Sequence, residues 1–183
     1  MYLDEILRHH RSIASLDERD LDDLVVRARI LPAARGFEAK LRLDSATHLA
    51  VIAEIKRRSP SRGALNNELD PIEIATSYVD GGASCLSVLT DEQFFGGSPD
   101  DLRNARNATT LPVLRKDFTV GLRDICDARL FGADCVLLIV AALSPTEIME
   151  FHKLALEIGL DVLVEVHDER ELEVALNASA TLV

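Results

Sequence analysis

The sequence predicts an α/β protein with a parallel sheet, and two observations carry this prediction. From about residue 48 onward, short runs rich in Val, Ile and Leu alternate with amphipathic stretches that fit helices. The runs recur at intervals of roughly 25 residues, which is typical of strand–helix units in a parallel sheet. Residues 1–47 lack this alternation and fit one or two polar helices. We therefore expect an N-terminal helical extension over 1–47 and a strand–helix domain over 48–183.

The apolar runs have the length and the β-branched content of buried strands. The predicted strands are Leu49–Lys56, Cys85–Thr90, Pro112–Lys116, Cys135–Val140 and Asp161–His167, followed by a sixth that begins at Thr181 and reaches Val183.

Capping residues predict where the intervening helices begin and end. Short polar side chains stand before a proline or three residues before a glutamate, as N-caps do, at Asp70, Ser98, Ser144 and Asp168. A further helix is predicted over about Gly121–Leu130. Glycines suited to helix C-termini follow at Gly81, Gly132 and Gly159.

Composition narrows the class of protein. The 183 residues are 48% hydrophobic, enough for a sizeable core, and their net charge of −11 argues against a nucleic-acid partner. The longest apolar run, Cys135 to Leu143, is too short to span a bilayer, and no signal peptide is visible. Three cysteines with no metal-ligating spacing indicate packing residues in a reduced, cytoplasmic setting.

Two parallel architectures fit the alternation, a doubly wound open sheet and a closed barrel. A doubly wound nucleotide-binding sheet usually carries a glycine-rich loop after its first strand. Here the first strand runs instead into a basic segment, Lys56–Ser61. Charged residues also recur at the ends of several strands, which favours a site at the mouth of a barrel.

Four charged residues stand out because strand alternation places them beside apolar ones. Glu54 and Lys56 share a face with Ala50 and Ile52, Lys116 shares one with Leu114, and Glu165 shares one with Leu163. Any one of them alone is better explained as a solvated strand end or a member of a structural ion pair. The chain has only four lysines, however, and two of them end strands. Grouped at one mouth, these residues could supply both an acid and a base.

Other residues allow two interpretations at this point. Phe94 and Phe95, in a long loop, and Phe118 could stack on an aromatic substrate or could anchor the chain. Ser59, in the basic segment, could bind phosphate or could belong to an ordinary turn. His167, just past Glu165, is similarly ambiguous, whereas the other histidines lack ligand spacing.

Five segments together resemble the indole-3-glycerol-phosphate synthase family. They are Ala53–Gly63, Leu86–Asp91 with Phe94–Ser98, Leu114–Phe118, Leu137–Val140 and Leu163–His167, and they follow in the family's order. The resemblance implies the eight-stranded (β/α)8 TIM barrel, of which this chain would hold about the first five and a half strand–helix units.

The resemblance also implies a reaction and residue roles. The family closes the indole ring of 1-(2-carboxyphenylamino)-1-deoxyribulose 5-phosphate in tryptophan biosynthesis, releasing carbon dioxide and water, without metal or cofactor. By motif position, Lys116 would be the acid for ring closure and Glu165 would hold and tune it. Lys56 would contact the substrate carboxylate and serve in dehydration, with Glu54 as the paired base. Substrate contacts would come from Ser59, for the phosphate, and from Phe95, Phe118 and Leu137, around the anthranilate ring.

The resemblance also carries expectations about the chain's extent. The family's later strands, which supply most of its phosphate site, lie beyond residue 183, so we expect impaired activity and self-association through open barrel edges. A non-catalytic partial barrel, or another phosphosugar barrel enzyme of the same pathway, are the alternatives. The Glu54, Lys56, Lys116 and Glu165 set argues against the latter.

Overall fold

The computed structural model describes residues 2–66 and 68–183. Its helices are α1 (Tyr2–Ser15), α2 (Leu21–Arg29), α3 (Phe37–Ser45), α4 (Pro71–Asp80), α5 (Pro99–Ala108), α6 (Leu122–Phe131), α7 (Pro145–Glu157) and α8 (Glu169–Asn177). Its strands are β1 (Ile52–Ile55), β2 (Arg58–Ser59), β3 (Gly63–Ala64), β4 (Cys85–Leu89), β5 (Val113–Lys116), β6 (Cys135–Ile139) and β7 (Asp161–Glu165). A 3₁₀ turn over Val140–Ala142 follows β6.

Five of the strands form one parallel sheet in the order β1-β4-β5-β6-β7, with a helix in every connection between neighbours. The short strands β2 and β3 pair antiparallel as a hairpin between β1 and α4. This confirms the α/β fold class and the alternation that the sequence predicts.

The chain divides into two compact units. Unit 1 comprises Met1–Ala33, Phe118–Leu130 and Val136–Val183, and unit 2 comprises Ala34–Asp117 and Phe131–Cys135. The predicted division at residue 47 follows chain order instead, and it stays a prediction.

Unit 2 holds β1, β4 and β5, with α4 against β1 and α5 against β4 and β5. All five residues of β4 are buried, as expected for a central parallel strand. The cap of α4 forms as predicted, because the Asp70 side chain accepts a hydrogen bond from Ile72 N at 2.8 Å. Ser98 caps α5 in the same way, accepting from Asp101 N at 3.1 Å.

In unit 1, α7 packs against β7, and α8 packs against α7 and the 3₁₀ turn. The predicted capping box of α7 is present: Ser144 Oγ accepts from Glu147 N at 3.3 Å, and Glu147 accepts from Ser144 N at 2.7 Å. Arg129 of α6 is buried, and it donates to the carbonyl of Ile158 at 3.1 Å. Asp168 caps α8 as predicted.

Some expectations are wrong. Three helices precede β1 rather than one or two, because Gly36 adopts a left-handed conformation (φ 71°) that lets α3 begin at Phe37. Residues 181–183 form no strand, although Val164 N donates to the Leu182 carbonyl at 3.0 Å, because one hydrogen bond does not make a ladder. The β2–β3 hairpin was not predicted.

The three cysteines are buried, as expected of packing residues, and no disulfide joins them. Among residues 2–66 and 68–183, no helix has both the length and the apolar character needed to cross a membrane.

Candidate active site

The register of unit 2 places its candidate acid and base residues on one face of the sheet. Glu54, Ser87 and Leu114 are aligned with one another, and two residues further along the strands Leu89 is aligned with Lys116. Aligned residues of parallel strands point to the same side, and residues two apart along a strand do too. Glu54 and Lys116 therefore project from the same face, near the carboxyl ends of β1 and β5.

The opposite face of these strands carries the contacts to the helices. Val88 and Arg115 are register partners on that face, and Val88 is fully buried. The Arg115 guanidinium lies 5.4 Å from the ring centroid of Phe131, the last residue of α6, and Arg103 of α5 lies over the same ring at 5.0 Å. Lys116 consequently points away from the helix-facing side.

Glu54 and Lys56 form an ion pair between the Lys56 ammonium and Glu54 Oε1. Their side chains remain 34% and 30% exposed, so a ligand from solvent can reach both. The backbone beneath the pair is fixed, because the Tyr78 hydroxyl of α4 donates to the Glu54 carbonyl at 2.9 Å. This arrangement presents a proton donor and a proton acceptor side by side at the end of β1.

Lys116 ends β5 on a rigid stretch of backbone. Its neighbours Arg115 and Asp117 form an ion pair at 2.9 Å, and both contact Thr90 after β4. Asp117 and Thr90 are almost fully buried. This network fills the helix-facing side of the strand end and leaves the other side to the Lys116 ammonium.

Phe95 lies in a loop that folds tightly over the end of β4. The Asp91 carboxylate accepts hydrogen bonds from Phe94 N at 2.6 Å and from Phe95 N at 2.9 Å. Gly97 passes so close to the strand that a Cβ there would lie 2.1 Å from the Leu89 carbonyl oxygen. The loop therefore holds Phe95 half-buried in a defined position.

Ser59 lies in β2, and its segment is tied to the Phe95 loop through Arg58. Arg58 N donates to the Phe95 carbonyl at 3.2 Å, and the Arg58 guanidinium donates to the carbonyls of Glu92 and Gln93. These bonds bring the predicted phosphate residue and the predicted ring contact onto connected loops.

The remaining predicted residues belong to unit 1. Glu165 is the last residue of β7, and its Oε1 lies 3.4 Å from Nε2 of the exposed His167. The same imidazole lies 3.1 Å from Glu171 of α8 through Nδ1. His167 therefore bridges two carboxylates, and this contact supports a structural role for a residue whose sequence position alone was ambiguous.

Phe118 and Leu137, also in unit 1, have different surroundings. The Phe118 ring packs against His10 of α1, with centroids 5.4 Å apart. Leu137 is only 2% exposed, in the middle of β6. Their contacts to a substrate ring stay predictions.

Sequence reasoning missed three residues that shape the unit 2 site: Ser87, Asp91 and Tyr78. Asp91 had a usable signal, since an aspartate just after a strand commonly accepts from backbone amides a few residues on. Ser87 had none, because a serine inside a hydrophobic strand does not reveal which face it occupies. Tyr78 donates from its hydroxyl to a carbonyl of another element, that of Glu54, and the spacing of residues along a helix does not predict such a contact.

The geometry of unit 2 suits acid–base chemistry on an anionic molecule. Two ammonium groups and one carboxylate project from one sheet face, flanked by a loop bearing a half-buried aromatic ring. Ammonium groups can donate protons and bind carboxylate or phosphate, and a paired carboxylate can accept a proton.

Comparison with known proteins gives two concordant results. Residues 3–183 match the family model described as indole-3-glycerol phosphate synthase. A protein of Chlorobium luteolum named indole-3-glycerol phosphate synthase is 50% identical over 184 residues, an alignment that covers 100% of this chain and 70% of that relative.

Proposed function

Because the chain belongs to the indole-3-glycerol phosphate synthase family, we propose that it is a lyase that closes an indole ring with loss of carbon dioxide. The substrate is 1-(2-carboxyphenylamino)-1-deoxyribulose 5-phosphate, and the product belongs to tryptophan biosynthesis. The single observation that best supports this beyond family membership is the common face of Glu54 and Lys116, with Lys56 paired to Glu54.

Ring closure needs a proton donor at the substrate ketone. The ring carbon that bears the carboxylate attacks the ketone carbon, and the ketone oxygen becomes a hydroxyl by taking a proton. Lys116 is assigned this step, because its ammonium ends a strand whose backbone is held by the Arg115–Asp117 pair. General acid catalysis of this kind typically contributes about 10²–10⁴-fold.

Rearomatisation follows in two steps, decarboxylation and dehydration, and the second step uses Lys56 and Glu54. The carboxylate leaves as carbon dioxide, and its bonding electrons return to the ring system. The new hydroxyl then leaves as water with a proton from Lys56, while Glu54 takes up the proton released as the indole forms. Their contact suits this division, since an acid and a base side by side can return the proton to its starting position.

Binding is assigned to residues around this acid–base set. Ser59 contacts the phosphate and Phe95 the anthranilate ring, and the Arg58 bonds connect their two loops. Glu165 as the residue that tunes Lys116, and Phe118 and Leu137 as further ring contacts, stay predictions from the family resemblance. The groups that these residues would bind all belong to one small phosphorylated molecule, as expected for a cytoplasmic biosynthetic enzyme.

Direct conversion of the substrate tests the proposal. The purified chain is mixed with the substrate, and indole formation is followed by fluorescence. The expected result is a signal that grows in proportion to enzyme concentration and saturates with substrate. Lys153→Met, which removes an exposed lysine of α7, serves as the matched control and should turn over like the parent chain. Absence of product at high enzyme concentration, with the chain folded, would contradict the proposal.

A further inference from the structure

Ser87 occupies the central position on the face that carries the acid–base residues. It lies in β4, between its register partners Glu54 in β1 and Leu114 in β5. Two residues further toward the carboxyl ends, and so on the same face, Leu89 is aligned with Lys116. The Ser87 side chain therefore points to the same side of the sheet as the Glu54 carboxylate and the Lys116 ammonium.

The Ser87 hydroxyl is buried without a protein partner. The residue is 4% exposed, and no group of residues 2–66 and 68–183 hydrogen-bonds its Oγ. A buried hydroxyl left without a hydrogen bond is costly, so buried hydroxyls in folded proteins almost always bond to protein or to ordered water. Ser87 thus has an unmet donor and an unmet acceptor inside the candidate site.

Glu54 offers a matching acceptor on the next strand. Its Oε1 accepts a hydrogen bond from the Lys56 ammonium, while its Oε2 has no hydrogen-bond partner in the described part of the chain. The backbones of adjacent strands lie about 4.8 Å apart, so side chains of register partners on one face are neighbours, and a water molecule that makes two hydrogen bonds of about 2.8 Å can join them. A bound water needs at least two polar partners, and Ser87 Oγ with Glu54 Oε2 supply them.

We propose that Ser87 is a positioning residue of the site: its hydroxyl binds an ordered water that it shares with Glu54 Oε2. The water holds the second carboxylate oxygen while Lys56 holds the first, so the carboxylate has one orientation. The importance of that orientation for turnover rests on the proposed function, in which Glu54 is the base. The position of the water does not depend on the proposed function.

Crystal structures of the parent chain, Ser87→Ala and Ser87→Thr test the water directly. The parent chain and Ser87→Thr should show an ordered water within about 3 Å of both the residue 87 hydroxyl and the Glu54 carboxylate. Ser87→Ala should lack that water, and its Glu54 side chain should occupy more than one rotamer. A parent structure with no such water, or with the Ser87 hydroxyl bonded to a protein group, would overturn the proposal.

Turnover separates positioning from simple packing. Ser87→Ala should lower kcat about 10-fold at nearly unchanged KM, because a hydrogen bond to a charged group is lost, and Ser87→Thr should restore it. Thr76→Ala, which removes an exposed hydroxyl from α4, is the control and should leave both constants unchanged. Equal kcat in Ser87→Ala and the parent would overturn the positioning role. A chain with the water but with no turnover would refute the proposed function and leave the water site intact.

Discussion

Two strand-end sites in unit 2 hold charged side chains, and they differ in how completely those charges are hydrogen-bonded. Just before β6, Asp134 is fully buried and accepts from Arg35 N at 2.8 Å, Val113 N at 2.9 Å and the Arg106 guanidinium at 2.8 Å. At the carboxyl ends of β1 and β5, Glu54 and Lys56 are about one-third exposed, and Glu54 Oε2 is unbonded in the described chain.

The difference separates a structural charge from a functional one. Arg35 completes the first site by donating to three backbone carbonyls, those of Arg106, Thr109 and Leu111, at 2.9–3.1 Å. A network so fully satisfied has no capacity left for a ligand, and it fixes the chain instead. Unfilled hydrogen-bonding capacity near solvent, by contrast, is what a substrate requires.

The largest expected effect is on stability at Asp134. Asp134→Ala should lower the free energy of unfolding by about 3–5 kcal/mol, because it leaves the Arg106 guanidinium and two backbone amides without their acceptor. Equilibrium urea denaturation measures the loss. Asp100→Ala, which removes an exposed partner of Arg103, is the control and should change stability by less than about 0.5 kcal/mol. Equal losses in the two variants would contradict the structural role of Asp134.

The next effect is on turnover at Lys116. Lys116→Ala should reduce kcat by about 10²–10⁴-fold while substrate still binds, because it removes a proton donor used in the transition state. Its free energy of unfolding should change by less than about 1 kcal/mol, since the Arg115–Asp117–Thr90 network beneath it stays intact. The measurements are single-turnover indole fluorescence and urea denaturation. A folded Lys116→Ala protein with near-parental kcat would show that the acid is assigned wrongly.

A smaller effect compares two neighbouring ion pairs. Glu54→Gln should change the free energy of unfolding by no more than about 1 kcal/mol, because the pair with Lys56 is partly exposed to solvent. Asp101→Asn should cost more, because Asp101 and Arg57 are only 12% and 20% exposed and their pair is 2.7 Å long. Urea denaturation of both variants gives the ranking, and the reverse order would contradict the link between the burial of an ion pair and its contribution to stability.

The predictable part of this fold is the part with local signals. The capping box of Ser144 and Glu147 and the cap at Asp70 are encoded within four residues, and both form as predicted. The β2–β3 hairpin was missed because two-residue strands have no period to detect. Strand ends were also overextended, since residues 49–51 before β1 and Val166 after β7 continue the apolar pattern without belonging to the strands.

The site was predictable only in outline, for a related reason. Alternation placed Glu54, Lys56 and Lys116 beside apolar residues on their own strands, but register between strands is what brings Glu54 and Lys116 to one face. Asp134 precedes a strand and Glu54 lies near the end of one, and a sequence does not reveal which of the two carboxylates is fully hydrogen-bonded. That depends on Arg35 and Arg106, which approach from distant parts of the chain.

The smallest expected effect concerns His152 of α7, a buried titratable group of unit 1. Burial lowers the pKa of His152, because the protonated imidazole is poorly solvated inside the protein. The unfolded chain therefore binds a proton at a higher pH than the folded one, so stability is complete above about pH 6.5 and falls as pH decreases through the interval between the two pKa values. Thermal unfolding of the parent chain from pH 7.5 to pH 5 should show a falling Tm, and His152→Gln should flatten that dependence. Acidic side chains do not confuse the comparison, since their unfolded pKa values lie near 4. Parallel Tm profiles for the two proteins would show that His152 does not set the acid sensitivity of the protein, and that the burial of its imidazole has little effect on stability in this pH range.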